Sequence, residues 1–180
     1  MSNELTKKQI EFLNRYTKGT WTYDAATGVV DVDGNFICCG RRLKTLCGIK
    51  FGKVSGAFVC SENKLTSLQG APREVGSDFI CFRNKLTSLE GAPQEVGWGF
   101  FCFHNELTSL KGAPQKVGGH FICEHNKLTS LEGAPQEIGG WFTCDEFHVK
   151  EGFWNAEKAQ KLILTFLSPE VFIIDSKSYY

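Results

Sequence analysis

The sequence predicts an α/β repeat solenoid, one domain over residues 1–180 with a cap at each end. Three observations predict it. Six of the eight cysteines, Cys38, Cys60, Cys81, Cys102, Cys123 and Cys144, form a ladder whose steps are 22 residues once and then 21 four times. Around each rung the same residue types recur in the same order. Between rungs, glycine and proline stand where a long helix would otherwise fit. A fixed period in this range is the mark of a chain that stacks one supersecondary unit on the next, because a lone unit cannot bury its apolar face.

The unit is clearest at Phe79-x-Cys81-x-x-Asn84-x-Leu86-x-x-Leu89, followed by Gly91, Ala92, Pro93, Val96 and Gly97. It recurs from Phe58, Phe100 and Phe121. A degraded copy starts at Phe36, where Arg41 replaces the asparagine and Leu43 and Leu46 remain. A last copy starts at Phe142, with Phe147 for the asparagine and Val149 for the leucine. Six repeats thus span 34–150, and the outer two are atypical, as end units are.

Each column has a physical task. Phe-x-Cys alternates, so it predicts a short strand with Phe and Cys pointing inward. Stacked strands make a parallel sheet on a concave face. Asn63, Asn84, Asn105 and Asn126 stand where the chain leaves the strand, and an amide there can bond backbone groups of its own coil and the next. The leucine pairs fill the interior. Gly91-Ala92-Pro93 and Gly97 are expected to carry the chain round the convex side with few or no helices. The cysteines are expected to be buried, reduced core thiols. The alternative, a metal centre, would need several thiolates among Phe and Leu, which is unfavourable. Eight thiols imply a reducing compartment.

The N-terminal cap, 1–33, begins with a helix. Thr6 and Gln9 suit a capping box, Ile10, Leu13 and Tyr16 make an apolar stripe, and Gly19 reads as its stop. Thr20–Tyr23 and Val29–Val32 then flank a turn at 24–28, which predicts a hairpin whose second strand feeds the first coil. The C-terminal cap, 151–180, is expected to hold a helix from Ala156 to Leu167 behind Asn155, then, past Pro169, a strand at Val171–Ile174. Both caps are expected to close an open core, and either is a candidate homodimer contact.

The columns resemble the leucine-rich repeat family, with Phe and Cys in the two strand positions that leucine usually fills. The weak match is the family's first leucine, which falls on Ser55, Gly76, Gly97 or Gly118, with a valine one residue earlier. A narrower resemblance lies in the phrase LTSLEGAPQEVG and in the lead-in from Trp21 to Gly34. Over about 20–150 the chain looks like a group of tailed-bacteriophage proteins labelled as the B component of the rapid-lysis (lysis-inhibition accessory) pair. That resemblance implies a viral protein in the host bacterial cytoplasm, acting against a host defence or on lysis timing. It carries no functional motif.

Lysine plus arginine and aspartate plus glutamate both number 20, so the formal net charge is zero. This argues against general nucleic-acid binding. No apolar run approaches a membrane span, and the polar N-terminus lacks a signal-peptide core, so a cytoplasmic protein is expected. There is no G-x-S-x-G, Walker loop or H-E-x-x-H, and no G-x-G-x-x-G between a strand and a helix. We therefore expect no enzyme and no cofactor. His104, His125 and His120, with Glu124 or Glu146, could at most outline a metal site, and the neighbouring columns of Phe and Arg argue against it.

The outward strand positions carry the functional signal. The middle column, Ile37, Val59, Ile80, Phe101, Ile122, Thr143, is almost wholly apolar where an exposed sheet should be polar. Phe82 and Phe103 adjoin it, Trp98 and Trp141 lie at its edge, and Arg83, His104, His120 and His125 surround it. Such a patch marks a protein-binding surface, and the expected partner is a host or phage protein. Two alternatives stand beside it. The face could take a small ligand or nucleotide, with the rings stacking a base and Arg83 and the histidines meeting phosphate. Or a cap could fold over it.

Overall fold

The computed structural model describes residues 4–144 and the backbone of 147–149. These residues build a parallel-strand solenoid of about five turns. A helix α1 (Lys7–Tyr16) leads into a hairpin of β1 (Thr17–Asp24) and β2 (Val29–Ile37). Then come β3 (Lys50–Val54), β4 (Phe58–Val59), β5 (Glu74–Val75), β6 (Phe79–Ile80), β7 (Glu95–Val96) and β8 (Phe100–Phe101). The series continues with β9 (Lys116–Val117), β10 (Phe121–Ile122), β11 (Glu137–Ile138), β12 (Phe142–Cys144) and β13 (Phe147–Val149).

Every coil contributes two short strands, and β2 is long enough to start both stacks. Its first half pairs in parallel with β3, and β3–β5–β7–β9–β11 follow as one ladder. Its second half pairs with β4, and β4–β6–β8–β10–β12 follow as the other. We call these the valine and phenylalanine ladders after their inward residues. The second ladder revises the expectation that the chain merely turns between Pro93 and Phe100. Val54, Val75, Val96, Val117 and Ile138 are buried, so this column forms the inward side of the second ladder. Gly97 is no turn glycine: its φ is not positive, and an added Cβ would run into the carbonyl oxygen of Gly76 in the coil before. The column needs glycine because the coils touch there. Among the described residues the coils contain strand and turn but no helix, so the α/β class is corrected to a β-solenoid with α1 in its cap.

The interior is a stack of identical layers. Phe36, Phe58, Phe79, Phe100, Phe121 and Phe142 are buried, with successive ring centroids 5.2–5.7 Å apart and nearly parallel planes. Beside them run the six ladder cysteines, all buried and in no disulfide, while Cys39 is exposed and Cys47 half-buried. Burial pushes the Cys38 thiol up to about 12 and those of Cys60, Cys81 and Cys102 well up too, because an interior thiolate would lose its hydration. Leu65, Leu68, Leu86, Leu89, Leu107 and Leu110 complete the core.

The asparagines clip coils together. Asn105 Oδ1 accepts the Leu86 N–H (3.0 Å), and its Nδ2 donates to the carbonyls of Cys81 (3.1 Å) and Cys102 (3.0 Å). Asn63, Asn84 and Asn126 repeat the pattern. The bonds within the amide's own coil form as expected, while the others run to the preceding coil and not to the next. The reason is the turn's direction: the leucine N–H left unpaired in one coil faces the amide arriving one coil later.

At the N-terminus the Thr6–Gln9 capping box forms as read. The buried face is Phe12, Leu13 and Tyr16, while Ile10 is exposed, because the Phe12 ring packs on Phe36 at 5.7 Å. The helix ends at Tyr16, and Gly19 lies inside β1. There it faces Gly34, both at positive φ, and a Cβ on either would strike the other strand's backbone. The expected C-terminal cap lies outside the described residues. Among the described residues no helix is long and apolar enough to cross a membrane.

Candidate partner-binding face

The phenylalanine ladder holds the sequence-predicted site residues in parallel columns. Ile80, Phe101 and Ile122 are paired in register on β6, β8 and β10, and each is half-buried. The Phe101 ring lies back along its strand over Gly99, filling the space a side chain there would take. One column on, Phe82 and Phe103 stack at 4.4 Å with planes 9° apart. These rings are therefore half covered by one another rather than fully presented, as successive coils under 5 Å apart require.

The next column is unusual in its backbone. Gly40, Glu62, Arg83, His104 and His125 all have φ between 51° and 66°, the left-handed region. Gly40 shows what that conformation favours, since side chains there cost about 1 kcal/mol or more each. Yet four exposed charged or imidazole side chains occupy it. Arg83 Nη1 lies 3.4 Å from Glu62 Oε1. The His104 and His125 rings stack at 4.3 Å, 10° apart, and His104 meets the Phe103 ring edge-on at 5.6 Å. Phe82, Phe103, Arg83, His104 and His125 thus form one continuous ridge. Among the described residues no three of His, Cys, Asp or Glu converge where a metal ion could sit.

On the other side of Phe101 the predicted residues are less close-knit. Trp98 sits in the Gly97–Gly99 bend between the two ladders and is 64% exposed. Trp141 is 45% exposed and tilts against His120 at 5.4 Å. His120 has a structural task that its type did not announce: its Nδ1 accepts the Trp141 N–H at 3.0 Å. Asn35 and Asp78, in the same column, likewise accept the N–H groups of Ala57 and Gly99, both at 2.8 Å. A polar residue recurring beside an apolar strand column was the only signal for this. Two open hollows, of about 210 and 260 Å³, are lined by the hairpin and by the outer side of the valine ladder, and neither includes Phe82, Phe101 or Phe103.

The assembled surface has a stacked aromatic centre, two exposed tryptophans and a basic-to-imidazole rim. Its chemistry offers apolar contact and charge-assisted hydrogen bonding. Comparison of the chain with protein-family models, with curated proteins and with solved structures finds no match, so what this face does must be argued from its own residues.

Proposed function

We propose that this protein is a non-enzymatic interaction module of leucine-rich-repeat type that holds a partner protein on the outward face of the phenylalanine ladder. The observation that carries this reading is the Phe82–Phe103 stack beside Phe101 and exposed Trp98, an aromatic patch on an outward strand face whose middle column is apolar as well. Such anchors ringed by Arg and His supply most of the binding energy in protein interfaces. The sequence's likeness to bacteriophage proteins supports a viral accessory role in the host bacterial cytoplasm, with a host protein, including one of a defence system, as the partner. The small-ligand alternative draws no support from the hollows, which lie elsewhere.

The test is the double variant Phe101→Ala, Phe103→Ala against wild type. A protein recovered from bacterial lysate on the wild-type chain is identified, purified and titrated into both by calorimetry. We expect binding at least ~30-fold weaker, the loss of about 2 kcal/mol that truncating a central anchor produces. Unchanged affinity would move the site off this face.

A further inference from the structure

We propose that β1 is the seam of a head-to-head homodimer, pairing antiparallel with the β1 of a second copy about a two-fold axis through Trp21. The argument begins with hydrogen-bond phase. In β2, Val32, Gly34 and Phe36 turn their backbone groups toward the coil side. Ser55 N donates to Val32 O, Gly56 N to Gly34 O, and Phe36 N to Ala57 O, each at 2.9 Å. Backbone groups alternate sides along a strand, so Asp31, Asp33 and Asn35 turn theirs to β1. They meet Thr22, Thr20 and Lys18 there. The intervening residues of β1, Gly19, Trp21 and Tyr23, therefore aim their N–H and C=O groups at the outer edge. Among the described residues none of these three makes a backbone hydrogen bond beyond the hairpin. This is an eight-residue edge strand without proline, a ready template for another strand.

The sequence of that edge is complementary to itself. With Trp21 facing Trp21 of the copy, Gly19 faces Tyr23, so the three residues with free backbone groups pair among themselves. The same register sets Lys18 opposite Asp24 and Thr20 opposite Thr22, twice over. Lys18, Thr20, Thr22 and Asp24 are all exposed on one face of β1, and opposite charges or paired threonines facing across strands stabilise a sheet. Asp24 is suited to the role: the Thr27 hydroxyl and the Ala26 N–H hold its carboxyl below the usual carboxylate range, so it stays ionised. Trp21 is half-buried, its Nε1 donating to Asn14 Oδ1 at 2.9 Å, and its twin would cover what remains. The occupant is thus a second copy: a one-strand register that pairs each charge and each free edge group with its complement is what self-association requires. The seam is short, so the dimer belongs to the weak end of interfaces.

The experiment is sedimentation of the full chain up to ~100 μM, high enough to populate a weak interface, joined to a register test. In a Cys39→Ser background, Thr20→Cys and Thr22→Cys chains are oxidised separately and mixed. Positions 20 and 22 lie directly opposite in this register, within disulfide reach, whereas 20 and 20 of two chains do not. We expect cross-linked dimer from the mixture and little from either chain alone. Lys18→Glu, which sets two carboxylates against two others, should weaken the dimer about tenfold while melting like wild type. A monomer at all concentrations overturns the proposal. So does cross-linking of Thr20→Cys alone, or a dimer that Lys18→Glu leaves unchanged, which would make Lys18 an edge-blocking charge.

Discussion

The two ladders share a backbone and differ in what they show to solvent. Both stack two-residue strands in parallel, and both bury an apolar column, valine in one and phenylalanine in the other. Outward, the valine ladder presents Lys53, Glu74, Glu95, Lys116 and Glu137, with Lys53–Glu74 paired at 3.4 Å and Lys116–Glu137 at 3.3 Å. The phenylalanine ladder presents Val59, Ile80, Phe101 and Ile122, all half-buried. The same molecule therefore demonstrates that this architecture is satisfied by a charged outer column. The apolar one is not a requirement of the fold, and that contrast is the strongest physical reason to treat it as a surface kept for a partner.

The largest test of the contrast is alkaline pH, because thiols line only the phenylalanine side. Cys38, Cys60, Cys81 and Cys102 have folded-state pKa values raised by burial. Above the unfolded value of about 8.5 the unfolded chain releases these protons and the folded chain does not. Stability should thus be intact below about pH 8.5 and fall above it, by ~1.4 kcal/mol per pH unit per thiol and several kcal/mol per unit for the four together. Urea midpoints between pH 7 and 10.5 measure this. Cys81→Ala should start less stable but lose one thiol's share of the slope. An alkaline slope untouched by that change would place the lability in other groups.

The asparagine clips come next, since the valine ladder has no counterpart to them. Asn105 is 8% exposed with all its bonds within the fold. Asn105→Ala should cost ~1–3 kcal/mol by leaving buried backbone groups unpaired, and Asn84→Ala should behave alike. A melting temperature like wild type would show that water replaces the amide.

A comparable effect is expected from making one ladder imitate the other. Ile80→Glu, Phe101→Lys and Ile122→Glu together recreate an in-register charged column. Only half-buried apolar surface is lost, so the protein should stay folded and be weaker by about 1–3 kcal/mol, with partner binding abolished. Failure to fold would break the comparison, because the outer column would then belong to the core.

The smallest change concerns the left-handed column. His104→Gly, at φ 52°, relieves backbone strain but adds freedom to the unfolded chain, for a net gain of up to about 1 kcal/mol. A variant that melts higher and binds its partner less well would show that these side chains are kept against the interest of stability. Lower stability would assign the stacked imidazoles to holding the coils.

Much of this was legible in the sequence, and the limits have physical causes. Inward columns announce themselves because burial admits few residue types: Phe, Cys and Leu at fixed spacing gave the strand, the core and the clip site. The valine ladder escaped notice because each coil gives it one inward residue, with no second apolar residue two positions on to reveal alternation as Cys does after Phe. Its signal was the recurrent valine before each column glycine, which looked like turn chemistry. The choice of Ile10 for the helix's buried face failed because hydropathy alone does not say which side of the stripe meets Phe36. On the candidate face, alternation correctly set Phe82, Phe101 and Phe103 outward. What it could not give was the half-burial of the rings, which depends on how far stacked neighbours reach over one another. The left-handed φ values had a single clue, Gly40 at the head of the column.

The backward direction of the asparagine clips also sets an order of events. Leu86 N–H finds its acceptor only in Asn105, 19 residues later, and Leu107 N–H waits in the same way for Asn126. On a ribosome, then, each turn stays unlatched until the following one has emerged, and ordered structure trails synthesis by one coil. The same polarity makes the two ends unequal under truncation. Trimming from the C-terminal side strips the latch from a coil that remains, whereas trimming from the N-terminal side removes only coils whose latches lie further on. Loss of order should therefore propagate more readily from the C-terminal end, in the manner of a zipper with one slider.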